Sequence, residues 1–218
     1  MSAAAAQKAI LWDLDGTIVD SGDLHWLAFQ ATMADESITL THEEFTGFFG
    51  WKNDRILRRL MGDAVPPADI TRIGDAKEAR FRALAVDRGV RAMPGAVEWI
   101  ARLRGDGWRQ AVASSAPREN IAAMLQALDL ADVFDAIVAA EDVAIGKPDP
   151  EVFLTAAARL GATAATSVVV EDAEAGIEGA RRAGMKSVGV SRIVTLRGDV
   201  FVPSLEVLPP DTFDRLIG

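Results

Sequence analysis

Six short apolar runs, each separated from the next by a segment of helical period or by turn residues, constrain this chain more than any other feature. They are Ala9–Trp12, Gln110–Ala113, Ala136–Ala140, Ser167–Val170, Ser187–Val190 and Val200–Val202. Runs this short do not make helices, and their nearly uniform apolarity is that of strands covered on both faces. Between them Ile121, Met124, Leu125 and Leu128 fall at i, i+3, i+4, i+7, and so do Phe153, Ala156, Ala157 and Leu160. Strand alternating with helix is the grammar of a parallel α/β sheet. Pro117 and Asp149-Pro150 mark helix starts, with proline suited to the first helical position, and Gly161 and Gly184 mark stops.

One region departs from that grammar. Residues 21–90 carry no convincing strand, only helical patterns: Leu24, Leu27, Ala28 and Ala31; the capping-box sequence Thr41-His42-Glu43-Glu44; Ile56, Leu57 and Leu60; and a segment through Phe81 and Leu84. The expected organisation is a Rossmann-like core of residues 1–20 and 91–218, with an all-α unit of four helices, residues 21–90, inserted after the first strand. The crossings near Asp20–Asp23 and Val90–Pro94 hold Gly and Pro and suit hinges.

The first strand ends in Asp13-Leu14-Asp15-Gly16-Thr17. Open parallel sheets bind ligands beyond the carboxyl ends of their strands. Two acids at i, i+2 followed by a turning glycine can therefore converge on one small ligand, although Asp-Gly is also an ordinary turn. Three further strand ends match it. Ser114-Ser115-Ala116-Pro117 offers a hydroxyl and free N–H groups at a helix start, Gly146-Lys147-Pro148-Asp149-Pro150 a lysine beside another, and Glu171-Asp172 a second acidic pair. Each has a bland alternative as a turn residue, a solvated charge or a helix-start acid; their coincidence at the strand ends of one sheet does not.

Composition narrows the chemistry. The 218 residues include no cysteine and only His25 and His42. That excludes disulfides, thiolate zinc sites and thiol catalysis, so a metal here is held by oxygen. A net charge of −9 argues against a passive grip on nucleic acid or on an anionic membrane, and no apolar run reaches membrane-spanning length. We expect a cytoplasmic protein, a monomer or weak homodimer. Four clustered carboxylates need a cation, and an oxygen shell with room for substrate fits Mg²⁺. Acids, metal, lysine and hydroxyl together suit phosphoryl transfer, but the residues alone do not choose between Asp13 and Asp15 as nucleophile.

In order and spacing, Asp13-Leu-Asp15-Gly-Thr, Ser114, Gly-Lys147-Pro-Asp-Pro and Glu171-Asp172 resemble the haloacid dehalogenase superfamily over nearly the whole chain. The helical insert resembles the cap of its β-phosphoglucomutase-like and phosphatase-like branch. The resemblance implies that Asp13 is the nucleophile and Asp15 the general acid/base. It implies that Ser114 and Lys147 hold the phosphoryl oxygens, with Gly16, Ser115 and Ala116 beside them. Asp172, Asp13 and the Asp15 backbone carbonyl would bind Mg²⁺, with Glu171 acting through water. An acid at Asp15 favours phosphate esters, since members attacking other bonds lack it.

The cap decides between a phosphatase and a phosphosugar mutase. His25, twelve residues after Asp13, matches the mutase histidine, and Lys77 a cap lysine. Aligning Phe49-Gly50-Trp51-Lys52-Asn53 with the mutase puts Asn53 where an arginine grips the second phosphate; asparagine cannot pair bidentately with it. Lys52, Arg55 and Lys77 are possible substitutes, Trp51 a stacking surface or core residue, Trp12 core, and Arg118 and Asn120 substrate contacts or helix-start surface. The expected activity is a Mg²⁺-dependent phosphatase for a small phosphorylated metabolite such as a sugar phosphate. A β-phosphoglucomutase-like mutase is the alternative, and a catalytically idle binding module is disfavoured by the intact acid pairs.

Overall fold

A computed structural model describes residues 7–48 and 50–218. Phe49, the first residue of the aligned cap segment, and the alanine-rich start of the chain lie outside the described residues. The strands are β1 (Gln7–Trp12), β2 (Arg109–Ala113), β3 (Ala136–Val138), β4 (Ala162–Glu171), β5 (Lys186–Val190) and β6 (Val200–Val202), pairing in parallel in the order β3-β2-β1-β4-β5-β6. All six apolar runs are strands. The third is shorter than expected, because Ala140 begins a single 3₁₀ turn through Asp142, and the fourth longer.

Alternate residues of the central strands face opposite layers, which is why the runs are apolar throughout. Ile10, Trp12, Val112, Val168 and Val170 pack with α5 (Ala96–Gly105), α6 (Arg118–Ala127) and α9 (Thr212–Ile217). Ala9, Leu11, Ala111, Ala113 and Val169 pack with α7 (Glu151–Leu160) and α8 (Glu174–Arg182). Trp12 is fully buried, its indole N–H donating to Gln110 Oε1 at 2.8 Å. Pro117 and Pro150 stand one position earlier than expected, immediately before α6 and α7.

Among the described residues, the insert after β1 folds into α1 (Gly22–Asp35), α2 (His42–Thr46), α3 (Asn53–Met61) and α4 (Pro67–Arg88) around a core of its own. Phe29, Met33, Phe45, Ile56, Leu57 and Ile73 form that core. The expected capping box is present at Thr41 and Glu44. The two crossings between cap and sheet run side by side: Asp20 N–H donates to Arg91 O at 2.9 Å and Met93 N–H to Ile18 O at 2.8 Å.

Candidate active site

The site lies at the carboxyl ends of β1, β2 and β4, the central strands of the sheet. Asp13 continues the β1 ladder, donating its N–H to Val170 O at 2.9 Å. The chain then turns back at Gly16, whose φ of +81° is one that L side chains rarely adopt; a Cβ there would stand 2.0 Å from Asp172 Oδ2. That glycine lets the turn close on the second acidic pair.

Lys147, fully buried after β3, donates its ammonium to Asp13 and, at 2.7 Å, to Glu171 Oε1. Glu171 Oε2 accepts from Ala173 N–H at 2.7 Å, and a Cβ on Gly176 would lie 1.9 Å from Glu171 Oε1, so this carboxylate has one place to be. Burial would strip Lys147 of its proton, but Asp13 and Glu171 outweigh it and raise the ammonium above its usual range. Asp13 itself is pushed up to about 8 by burial, which with the charges of Glu171 and Asp15 outweighs the pull of Lys147. Asp172 is driven upward by burial, Glu171 and Asp13.

Asp13, Glu171 and Asp172 each place one carboxylate oxygen within 4.8 Å of the others. Among the described residues no donor hydrogen-bonds the Asp172 carboxylate, so one lysine faces three acids. A hard cation with oxygen ligands fits this donor set. The Asp15 carboxylate is not part of the cluster.

Asp15 Oδ1 accepts from Ser21 Oγ at 2.5 Å and from His25 Nε2 at 2.8 Å. Lys77 Nζ stands 2.8 Å from His25 Nδ1. A lysine ammonium only donates, so Nδ1 accepts and Nε2 carries the hydrogen given to Asp15. Burial would raise the Asp15 carboxyl, but His25, Ser21 and Lys77 prevail and hold it below the ordinary carboxylate range. The His25 ring stacks on Phe81 with centroids 4.0 Å apart.

A cavity opens over Asp13 and Asp15. Ser114, Ser115 and Ala116 line it from the core; His25, Asn53, Lys77 and Glu78 line it from the cap, with a wall that includes Phe29, Phe45, Phe48 and Trp51. Ser114 Oγ accepts from Ala116 N–H at 3.0 Å. Lys147, Glu171, Asp172 and Gly16 are not in the cavity wall; the first two bond to one another, and the first reaches Asp13 from behind it.

The cap is closed on the core. Ser115 Oγ donates to Gly50 O at 2.9 Å, Lys52 Nζ to Ala140 O and Val143 O at 2.9 and 3.2 Å, and Arg55 Nη1 to Lys147 O at 3.0 Å. Lys52 is therefore not where a substrate-binding cation was expected: carbonyls of the segment leading to Lys147 hold it at the cap–core junction. The Arg55 guanidinium also lies 3.5 Å over the Trp51 ring. Asn53 donates to Glu78 Oε1 at 2.6 Å. Arg118 pairs with Asp142, as a helix-start surface residue would. Asn120 is neither surface nor in the cavity wall, being fully buried against Glu78 and Arg82.

Sequence reasoning missed Ser21 and Glu78. Ser21 precedes α1 and looks like an ordinary helix cap, yet its hydroxyl goes to Asp15. Glu78 reads as one more solvated helix acid; its adjacency to Lys77 was the only signal, and adjacent residues of a helix do not usually share a face.

The Haloacid dehalogenase-like hydrolase family matches residues 10–190. The chain is 30% identical to "Probable phosphatase IndB" of Dickeya dadantii, covering 96% of this chain and 91% of that one. It is 31% identical to the "Beta-phosphoglucomutase" of Bacillus subtilis, covering 85% and 84%. The crystal structure of CbbY from Rhodobacter sphaeroides in complex with phosphate superposes with a TM-score of 0.83 at 27% identity, covering 93% of this chain and 96% of that one. The chain belongs to the haloacid dehalogenase-like hydrolase family.

Proposed function

We propose that the protein is a Mg²⁺-dependent phosphomonoesterase that hydrolyses a small phosphorylated metabolite, a sugar phosphate by preference, through an aspartyl-phosphate on Asp13. One observation carries the reading: Asp13 lines a cavity together with Asp15 and Ser114, and Lys147 and the Glu171–Asp172 pair back the Asp13 carboxylate from behind the cavity wall. An Asp13 carboxylate oxygen attacks phosphorus as the P–O bond to the alcohol breaks, and the Asp15 carboxyl gives its proton to the leaving oxygen. In the second half a water attacks phosphorus, Asp15 takes its proton, and the bond to Asp13 breaks to release phosphate. The ionised Asp15, held by His25 and Ser21, is the form this second half requires. Lys147 and Ser114 hold phosphoryl oxygens, and the closed cap excludes bulk water. Asp13, Asp172 and the Asp15 carbonyl, with Glu171 behind them, would hold the Mg²⁺, which when bound neutralises crowded acids and phosphoryl charge.

The disposition of the cap's cations supports a phosphatase over a mutase. Lys52 and Arg55 are engaged with core carbonyls, and Lys77 with His25 and Glu78. Asn53, at the position of the mutase arginine, bonds a carboxylate. A second phosphate finds no free cation among these four. The testing experiment is phosphate release from a panel of phosphorylated metabolites with Mg²⁺ and with EDTA, including β-glucose 1-phosphate with and without a trace of glucose 1,6-bisphosphate. Mg²⁺-dependent release from one metabolite class is expected. Conversion of glucose 1-phosphate to glucose 6-phosphate with little phosphate released overturns the phosphatase in favour of the mutase.

A further inference from the structure

Glu78 is a buried carboxylate whose two oxygens serve different parts of the molecule. Oε1 accepts from Asn53 at 2.6 Å and from Lys77 at 2.9 Å, both in the cap. Oε2 accepts from the amide of Asn120, a fully buried residue of α6 in the core. Asn120 in turn accepts on Oδ1 from Arg82 at 3.0 Å. Glu78 and Arg82 stand four residues apart on α4, one helical turn, so the cap presents an acceptor and a donor side by side and the core presents one amide complementary to both. That pairing fixes which way the Asn120 amide faces and forms only while the cap is closed.

We propose that Glu78 is a positioning residue that ties closure of the cap to the geometry of the acid/base group. Closure gives Glu78 its third donor. Glu78 then holds the Lys77 ammonium, which lies 4.7 Å over the Phe29 ring and donates to His25 Nδ1; His25 gives Nε2–H to Asp15. Opening exchanges the Asn120 amide for water, so the latch favours the closed cap by the net worth of one charge-assisted hydrogen bond. The catalytic part of the proposal rests on the phosphomonoesterase reading above; the latch itself does not.

Two variants and their combination test it in the full-length protein with Mg²⁺ present. Asn120→Ala deletes the bond across the cap–core junction without changing charge, and Glu78→Gln replaces an acceptor by a donor that faces other donors. Each is expected to lower kcat/KM for the best ester by about tenfold and to enlarge the radius of gyration measured by solution scattering. The double variant Glu78→Gln/Asn120→Ala should lose little more than either alone, because both break one bond. The reciprocal swap Glu78→Gln/Asn120→Asp restores a donor facing an acceptor, keeps an acceptor for Arg82, and should recover most of the lost kcat/KM. A purely structural defect would lower the active fraction without such recovery. Unchanged scattering in both single variants, additive losses, or a swap that recovers nothing overturns the latch. If the wild type releases phosphate from no ester, the phosphomonoesterase reading falls, while the scattering of the variants still decides whether the latch holds the cap.

Discussion

Asn53 Nδ2 donates to Glu78 Oε1 across 2.6 Å, and the pair puts a carboxylate, not a free cation, into the cap wall of the cavity. Burial would raise Glu78, but Lys77, His25 and Asn53 hold it below the ordinary carboxylate range, so it meets substrate as an anion. A second phosphate brought into this wall is repelled. For whichever monophosphate is hydrolysed best, its bisphosphate analogue should show a KM higher by about tenfold or more, read from steady-state phosphate release. An equal or lower KM for the bisphosphate would mean that the cap rearranges to offer one of its lysines or arginines.

Asp13→Asn removes the proposed nucleophile and leaves Lys147 bonded to Glu171. The amide also ends the repulsion between Asp13 and its acidic neighbours. Phosphate release should fall by about three orders of magnitude or more while circular dichroism and thermal melting stay close to wild type. Full activity in this variant would remove the nucleophile from Asp13.

Much of this site is legible in the sequence because its parts sit at strand ends. An apolar run that stops at an acid, a serine or a lysine places that side chain beyond the sheet's edge whatever the rest of the chain does, and Asp13, Ser114 and Glu171 all follow such runs. Helices give no comparable landmark. Lys52, Lys77 and Glu78 lie in or next to cap helices of similar composition; only the packing of α4 on α1 and α6 decides that Lys77 turns to His25 and Glu78 to Asn120, and only the seating of the cap on the core that Lys52 meets its carbonyls. Asn120 shows the same limit within the core: at a helix start it reads as surface, and the closed cap buries it.

Gly176 permits a contact that a methyl group would forbid. A Cβ there would lie 1.9 Å from Glu171 Oε1 and 2.0 Å from its Cδ. Glu171 cannot retreat, since it is fully buried between Lys147 and Ala173 N–H. Gly176→Ala, a favourable change in an exposed helix, should here destabilise the fold by about 2–3 kcal/mol in urea unfolding. It should also cut phosphate release sharply, because Glu171 helps fix Lys147.

The crowding of Asp13, Glu171 and Asp172 makes the folded protein a better ligand for a divalent cation than the unfolded chain, in which these acids are dispersed. Mg²⁺ at a hundred times its dissociation constant should therefore stabilise the fold by about 2.7 kcal/mol and raise the melting temperature by several degrees. Asp172→Asn should abolish most of that shift, whereas Asp142→Asn, outside the cluster, should leave it intact. A shift that persists in Asp172→Asn would place the cation elsewhere.

Asp142, in the turn after β3, carries the clearest acid-side contribution to stability. It pairs with Arg159 at 3.0 Å, accepts from Ala139 N–H at 2.8 Å and bonds Arg118, with 17% of its side chain exposed. The Arg159 hydrogen bond is the largest influence and, with Ala139 and Arg118, outweighs burial to lower the carboxyl to about 2. A carboxylate depressed in the folded state stabilises it fully above the unfolded value near 3.8 and loses that contribution as pH falls toward about 2. Asp142→Asn should thus destabilise the protein at pH 7 by about 1–2 kcal/mol, less than the full shift implies because solvent reaches both arginines. The difference from wild type should shrink steadily between pH 4 and pH 2, as read from urea unfolding at pH 7, 4 and 2.5. A difference that stays constant across that window would mean the aspartate acts through packing, since loss of charge is the only part of its contribution that acid can remove.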